Sequence, residues 1–118
     1  MKPKRKLFYT ECHIAGRQYH EASEVWDKLK IGTLLRLEQD KQNRYDANAI
    51  AIMYDDAETD EEYCLGYVPR TDNEDLAKFL EMGWGEIFDV RISKIAPEAQ
   101  YEQQLHVVIK IKNKEHCG

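Results

Sequence analysis

The chain has 118 residues, 42% hydrophobic and 33% charged, with a net charge of −5. That length supplies one modest hydrophobic core, and this composition excludes a disordered or fibrous polymer. No apolar run approaches the roughly 20 residues of a membrane-spanning helix, and the basic start Met1–Lys6 meets Glu11 and His13 before any export-type apolar stretch develops. A cytoplasmic location is therefore expected. Cys12, Cys64 and Cys117 are odd in number and far apart, which argues against a disulfide framework or a zinc ribbon.

In chain order, Leu7 to Ile14 reads as a first strand with Phe8, Thr10 and Cys12 on one face, ended by Gly16. Ser23 suits the N-cap of a short helix carrying Val25, Trp26 and Leu29 on one side. Segments 33–39 and 49–54 read as strands, joined by a long loop from Asp40 to Asn48 whose tight points suit Asn43, Asp46 and Asn48. Residues 55–62 hold six acids and are read as a solvated hairpin tip, since their spacing is not that of a calcium loop. Setting those six aside leaves 16 acids against 17 Lys and Arg, so a basic face is compatible with the overall acidity.

Residues 63–68 give the next strand. Thr71-x-x-Glu74 then has the form of a capping box, opening a helix to Met82 that packs through Leu76, Phe79 and Leu80 and closes at Gly83. Residues 87–95 and 105–112 alternate with period two and form a terminal hairpin. The expected fold is mainly β with two short helices: a small OB-like β-barrel of about six strands, one domain with its core at 7–112 and tails at 1–6 and 113–118.

Four segments carry a further reading: Ile14 to His20; Leu35 to Glu38 with Asn43-Arg44-Tyr45-Asp46-Ala47-Asn48-Ala49-Ile50; Leu65-Gly66-Tyr67-Val68-Pro69-Arg70; and the helix around Leu76 to Leu80. Their order and spacing resemble the HIRAN domain, the N-terminal module of eukaryotic fork-remodelling helicases that also occurs in bacteria. The resemblance runs from about Tyr9 to Lys112 and is most specific in the N-x-Y-D-x-N-A-I segment. It implies capture of the 3′ end of single-stranded DNA, with the terminal hydroxyl hydrogen-bonded to a loop aspartate, here Asp46. Tyr45 or Tyr19 would stack on a base, and Arg70 would meet phosphate, with Gln18, Asn43, Tyr67, Arg17 and Lys94 completing the expected DNA-binding set. Relative to the helicase version, Gln18 stands for an arginine with Arg17 one position earlier, Tyr67 for a histidine, Arg70 for a lysine, and Ser93 or Lys94 for a stacking aromatic.

Plain structural roles stand beside these. Asp46 and Asn48 equally suit loop-shaping bonds to the backbone, Tyr45 and Tyr19 suit the rim of a core, and Gly66 suits a tightly curved strand. No HExxH, GxSxG or P-loop pattern occurs, so neither catalysis nor a cofactor is expected. Cys12-His13 and His116-Cys117 are too poorly disposed on strands for a zinc site, because neighbouring strand residues face opposite ways. A different class of function, a protein-interaction barrel, is the competing expectation; a basic, aromatic-lined groove beside Asp46 would favour DNA.

Overall fold

The computed structural model describes residues 5–17 and 20–114. Six antiparallel strands, β1 (Lys6–His13), β2 (Leu34–Gln39), β3 (Ile50–Asp56), β4 (Glu61–Tyr67), β5 (Phe88–Ile95) and β6 (Leu105–Lys112), form one sheet in the order β1-β6-β5-β2-β3-β4. The helix α1 spans Arg70–Glu81, and a kinked 3₁₀ segment, Glu21–Lys28, lies between β1 and β2. The fold is mainly β with two short helices, as expected. The period-two pattern is realised most cleanly in β6, where Leu105, Val107 and Ile109 are wholly buried and alternate with His106, Val108 and Lys110. Ile14, Ile50, Ile52, Leu65, Leu76, Val90 and Ile92 fill the same core.

The word barrel applies only loosely. β1 and β4 are the two edges of the sheet, and the described residues join them through one isolated bridge beyond β1, in which Ala15 and Tyr67 exchange two backbone hydrogen bonds of 2.8 Å. Gly66 makes this approach possible. At φ +150° it has a backbone conformation that L side chains rarely adopt, and a Cβ there would lie 2.5 Å from both the Ala15 carbonyl oxygen and Ile14 Cγ2.

Three local expectations are corrected. In β1 the register shifts between Phe8 and Thr10, so Tyr9 is an extra, bulged residue. The bulge reverses the alternation: Phe8 pairs with Lys110 and is exposed, while Thr10 pairs with Ile109 and leads to buried Cys12. Next, half of the acidic stretch is strand, because β3 runs through Asp56 and β4 begins at Glu61, which confines the exposed tip to residues 57–60. Asp56 is only 3% exposed; it accepts a hydrogen bond from Lys28 Nζ, and its other oxygen accepts the Glu58 N–H. Asp55 and Glu62 meanwhile share the Arg36 guanidinium at 2.9–3.0 Å, so paired charges extend the hairpin.

The third correction concerns the helix starts. α1 begins at Arg70 after Pro69, and Thr71 Oγ1 donates to Asp72 instead of capping the backbone. Proline, with φ pre-set and no N–H to lose, supplies the start in place of the capping box. The buried stripe is Asn73, Leu76 and Ala77 with Leu80 partly covered, which leaves Phe79 41% exposed. Ser23 is likewise inside its 3₁₀ segment, where its hydroxyl accepts a bond from Arg17.

Two outcomes test this account. Gly66→Ala is expected to destabilise the protein by about 2 kcal/mol or more, through overpacking and backbone strain at the one closing bridge, in urea unfolding followed by circular dichroism. The second concerns acid. The Lys28 hydrogen bond holds the Asp56 carboxyl below its usual range, and at Asp89 burial alone would raise the pKa but hydrogen bonds from Lys6 and Arg91 more than offset it. Carboxyls lowered in the folded state stabilise it above their unfolded value of about 4 and lose that contribution as the pH falls through the folded values. Stability should therefore decline below about pH 4, and Asp89→Asn should flatten that acid limb in pH-dependent melts.

Candidate nucleic-acid interface

The loop between β2 and β3 is shaped by its own short polar side chains. Asn43 Oδ1 accepts the N–H groups of Tyr45 and Asp46 at 2.9 and 3.0 Å, and Asp46 Oδ1 accepts the Asn48 N–H at 2.9 Å. The Asp40 N–H closes the base of the loop on the Ala49 carbonyl at 2.9 Å. The result lifts Tyr45 to the surface, where it is 86% exposed, and turns Asp46 inward.

Asp46 is locked from the other side by α1. Its Oδ2 accepts a 2.8 Å hydrogen bond from Nδ2 of the buried Asn73 and lies 3.6 Å from Arg70 Nε. Arg70 Nη2 in turn donates to the Tyr45 carbonyl at 2.7 Å, while most of the guanidinium faces solvent. The first turn of α1 thus ties the loop tip down at two points.

The third wall comes from the closing bridge. Ala15, Gly16, Tyr67 and Val68 complete a cavity of about 220 Å³ with Asn43, Tyr45, Asp46, Ala49 and Arg70, smaller than the usual small-molecule pocket and open to solvent. Tyr67 donates its hydroxyl to Asp40 Oδ2 at 2.7 Å, and its ring packs against His20 with centroids 5.2 Å apart. Burial, followed by that bond to a carboxylate, pushes the Tyr67 pKa up, so its hydroxyl stays protonated and committed to Asp40. Exposed Lys41 and Arg44 precede Tyr45 on the same loop, and the two acids of the site, Asp40 and Asp46, both have hydrogen-bond partners.

Five of the residues expected from the sequence, Asn43, Tyr45, Asp46, Tyr67 and Arg70, are therefore brought into one cavity. Gln18 and Tyr19 lie outside the described residues. Arg17 is placed differently from the expectation of a phosphate contact: it is buried, with its guanidinium 4.6 Å from the Trp26 ring centroid and 5.0 Å from that of Tyr101. Desolvation lowers its pKa, yet a guanidinium stays charged, and here two aromatic faces and Ser23 replace water. Lys94 is exposed on β5 opposite His106 and does not line the cavity, and the neighbouring Ser93 Oγ is buried without a hydrogen-bond partner.

Sequence reasoning missed Asn73, Asp40 and His20. For Asn73 there was a signal, since it lies three residues after Arg70 in a helix and so shares its face. For Asp40 and His20 there was none, because their relation to Tyr67 arises only when separate segments meet. Among the described residues no group of three His, Cys, Asp or Glu side chains is arranged to hold a metal ion. No helix among them is long and apolar enough to cross a membrane.

Comparison with known proteins agrees with this architecture. A protein from Lactobacillus plantarum of known crystal structure superposes with a TM-score of 0.71 at 19% identity, covering 92% of this chain and 97% of that one. The HIRAN domain of human HLTF superposes with a TM-score of 0.60 at 16% identity, covering 94% and 84%. At these identities the likeness is one of fold. No curated protein matches the chain at a significant level. The model of the HIRAN domain family matches residues 7–112, nearly the whole chain and every element that builds the cavity, and the chain belongs to that family.

Proposed function

We propose that this chain is a DNA-binding module, without catalytic activity of its own, that captures the free 3′-hydroxyl end of single-stranded DNA in the cavity around Asp46. The observation that carries this reading is the state of that carboxylate. Asp46 is oriented by Asn48 and Asn73, lines an open cavity, and sits between an aromatic ring with no packing duty and a largely solvent-facing guanidinium. Each carboxylate oxygen accepts one of these protein bonds and has a further lone pair available to a hydroxyl donor.

The division of labour follows from residue chemistry. Tyr45 offers a face to the terminal base, a contact worth roughly 1–3 kcal/mol whatever the base. Arg70 holds the adjacent phosphate, with Lys41 and Arg44 drawing in the preceding backbone, and arginine can do so with two parallel bonds. Tyr67 supplies a ring wall, its hydroxyl being engaged by Asp40. Arg17 acts as a positioning residue, holding the chain just after Gly16 against Trp26 and Tyr101. Family membership supports the same assignment, with the chain's Asp46 at the hydroxyl.

The decisive measurement compares oligonucleotides ending in a 3′-hydroxyl or a 3′-phosphate by fluorescence anisotropy. Losing a hydrogen bond to a charged acceptor costs roughly 1.5–3 kcal/mol, and repulsion between phosphate and carboxylate adds to it, so binding should weaken tenfold or more. Asp46→Ala should abolish the preference while also lowering stability, because it orphans the Asn73 amide. Exchanging the pair, Asp46→Asn with Asn73→Asp, restores their mutual bond and should recover stability without recovering end preference. Equal affinity of the wild type for both ends would refute the reading.

Salt supplies an independent outcome. Affinity should fall as salt rises in spite of the net charge of −5, and Arg70→Ala should reduce the slope of log K against log salt by about 0.7, the share of one phosphate contact on a single strand. A slope unchanged by Arg70→Ala would remove that residue from the phosphate-binding set.

A further inference from the structure

The face of α1 turned away from the Asp46 cavity forms a second feature. Asp72, Asp75, Phe79 and Met82 recur at intervals of three and four residues, so they share a stripe on the exposed side of the helix. This stripe faces Tyr9 and Thr10 of β1, and two cavities lie along it: a polar one of about 290 Å³ around Thr71, Asp72 and Glu74 and an apolar one of about 540 Å³ around Phe79, Met82 and Trp84, which share Tyr9 and Asp75 as lining.

The apolar end is a built surface. Phe88, buried in the sheet, meets Tyr9 edge-on at 6.1 Å and Phe79 edge-on at 5.8 Å between ring centroids, and the Trp84 N–H is held by the Phe79 carbonyl at 2.9 Å. Yet Met82 is 70% and Trp84 55% exposed, which places two large apolar side chains beside half-exposed Phe79 in one concave patch. The other end is negative. Lys78 is the one cation among the described lining residues, and it is placed 3.8 Å from Glu74 and 4.0 Å from Asp75. The field is felt nearby: burial first, and then Asp75 and Asp72, push the Tyr9 pKa up, and burial followed by Asp72 and Glu11 pushes the Cys12 thiol up to about 12.

We infer that this groove docks a short extended protein segment bearing two or three Lys or Arg residues next to a large apolar side chain. Charge complementarity selects the occupant, since an acidic rim joined to an apolar patch attracts a basic-apolar segment and repels nucleic acid and anionic membrane alike. The stripe from Asp72 to Met82 is about 15 Å long at 1.5 Å per residue, a span that about five extended residues cover. β1 is an edge of the sheet, so such a segment lies beside it without displacing a sheet hydrogen bond. The inference rests on the groove alone and stands apart from the reading of the Asp46 cavity, which opens on another part of the molecule. Together they make α1 a shared wall, with Arg70 and Asn73 serving one site and Asp75 and Met82 the other.

The test uses a fluorescent heptapeptide of sequence Arg-Lys-Arg-Ser-Leu-Trp-Leu, titrated with the full chain and followed by anisotropy. Saturable binding is expected. It should weaken at least tenfold with Asp72→Asn/Asp75→Asn, and by a similar factor with Met82→Ser/Trp84→Ser, exposed positions whose replacement opens no core. Glu61→Gln/Glu62→Gln, which removes as much negative charge from the distant hairpin, should leave it unchanged. Equal binding of a peptide with serines in place of leucine and tryptophan, or equal loss with the hairpin variant, would reduce the effect to bulk charge and overturn the inference. No binding by a folded wild type would overturn it as well, as would concentration-dependent dimerisation abolished by Trp84→Ser, which would make a second copy the occupant.

Discussion

The architecture turns on one close backbone approach. Where Ala15 and Tyr67 exchange hydrogen bonds, the two edges of the sheet come together, and Gly66 alone permits it because a single methyl group would overlap a carbonyl oxygen. The segments on either side of the bridge take their positions from it. Ala15 and Gly16 become a cavity wall, Tyr67 is turned toward Asp40, and Val68 and Pro69 aim the first turn of α1 at the loop after β2. A backbone contact is well suited to this task, since it holds position with little dependence on the mobile ends of long side chains.

The second constraint is electrostatic and concerns how an acidic chain keeps a usable basic surface. Many of its carboxylates are paired with cations internally: Asp56 with Lys28, Asp55 and Glu62 with Arg36, and Asp89 with Lys6 and Arg91, whereas Asp40 and Asp46 keep their charge and accept bonds from the neutral Tyr67 and Asn73. The ion pairs neutralise one another locally; the exposed ones around Arg36 add little stability, whereas Asp56 and Asp89 are buried against their cations. Around the Asp46 cavity Lys41, Arg44 and Arg70 outnumber Asp40 and Asp46, whereas along the outer stripe of α1 Asp72, Glu74 and Asp75 outnumber Lys78. Net charge is thus a poor guide to partners here, because the two faces of one helix differ in sign.

In the role proposed for Asp46, loop-shaping and ligand binding need not compete. A carboxylate that caps its own turn through one oxygen and is gripped by a buried amide through the other has lost its rotational freedom before any ligand arrives. That preorganisation raises the value of each remaining lone pair, since no side-chain entropy is left to lose on binding.

The sequence by itself determined the elements whose causes are local: the alternation of β6, the period of α1, the Asx turns of Asn43 and Asp46, and the segments that mark the HIRAN family. It also picked out Tyr45, Asp46 and Arg70, whose chemistry is legible as residue types in order. Tertiary structure decided the rest. The Tyr9 bulge turned Phe8 outward, the strands ran on into the acidic stretch once Lys28 and Arg36 stood opposite its carboxylates, and Arg17 left the cavity for the faces of Trp26 and Tyr101. The pairing of Asp46 with Asn73, 27 residues apart, belongs to the same class. In each case the partner is distant in the chain, and periodicity, which reports only what neighbours within a turn or a strand do, carries no information about it.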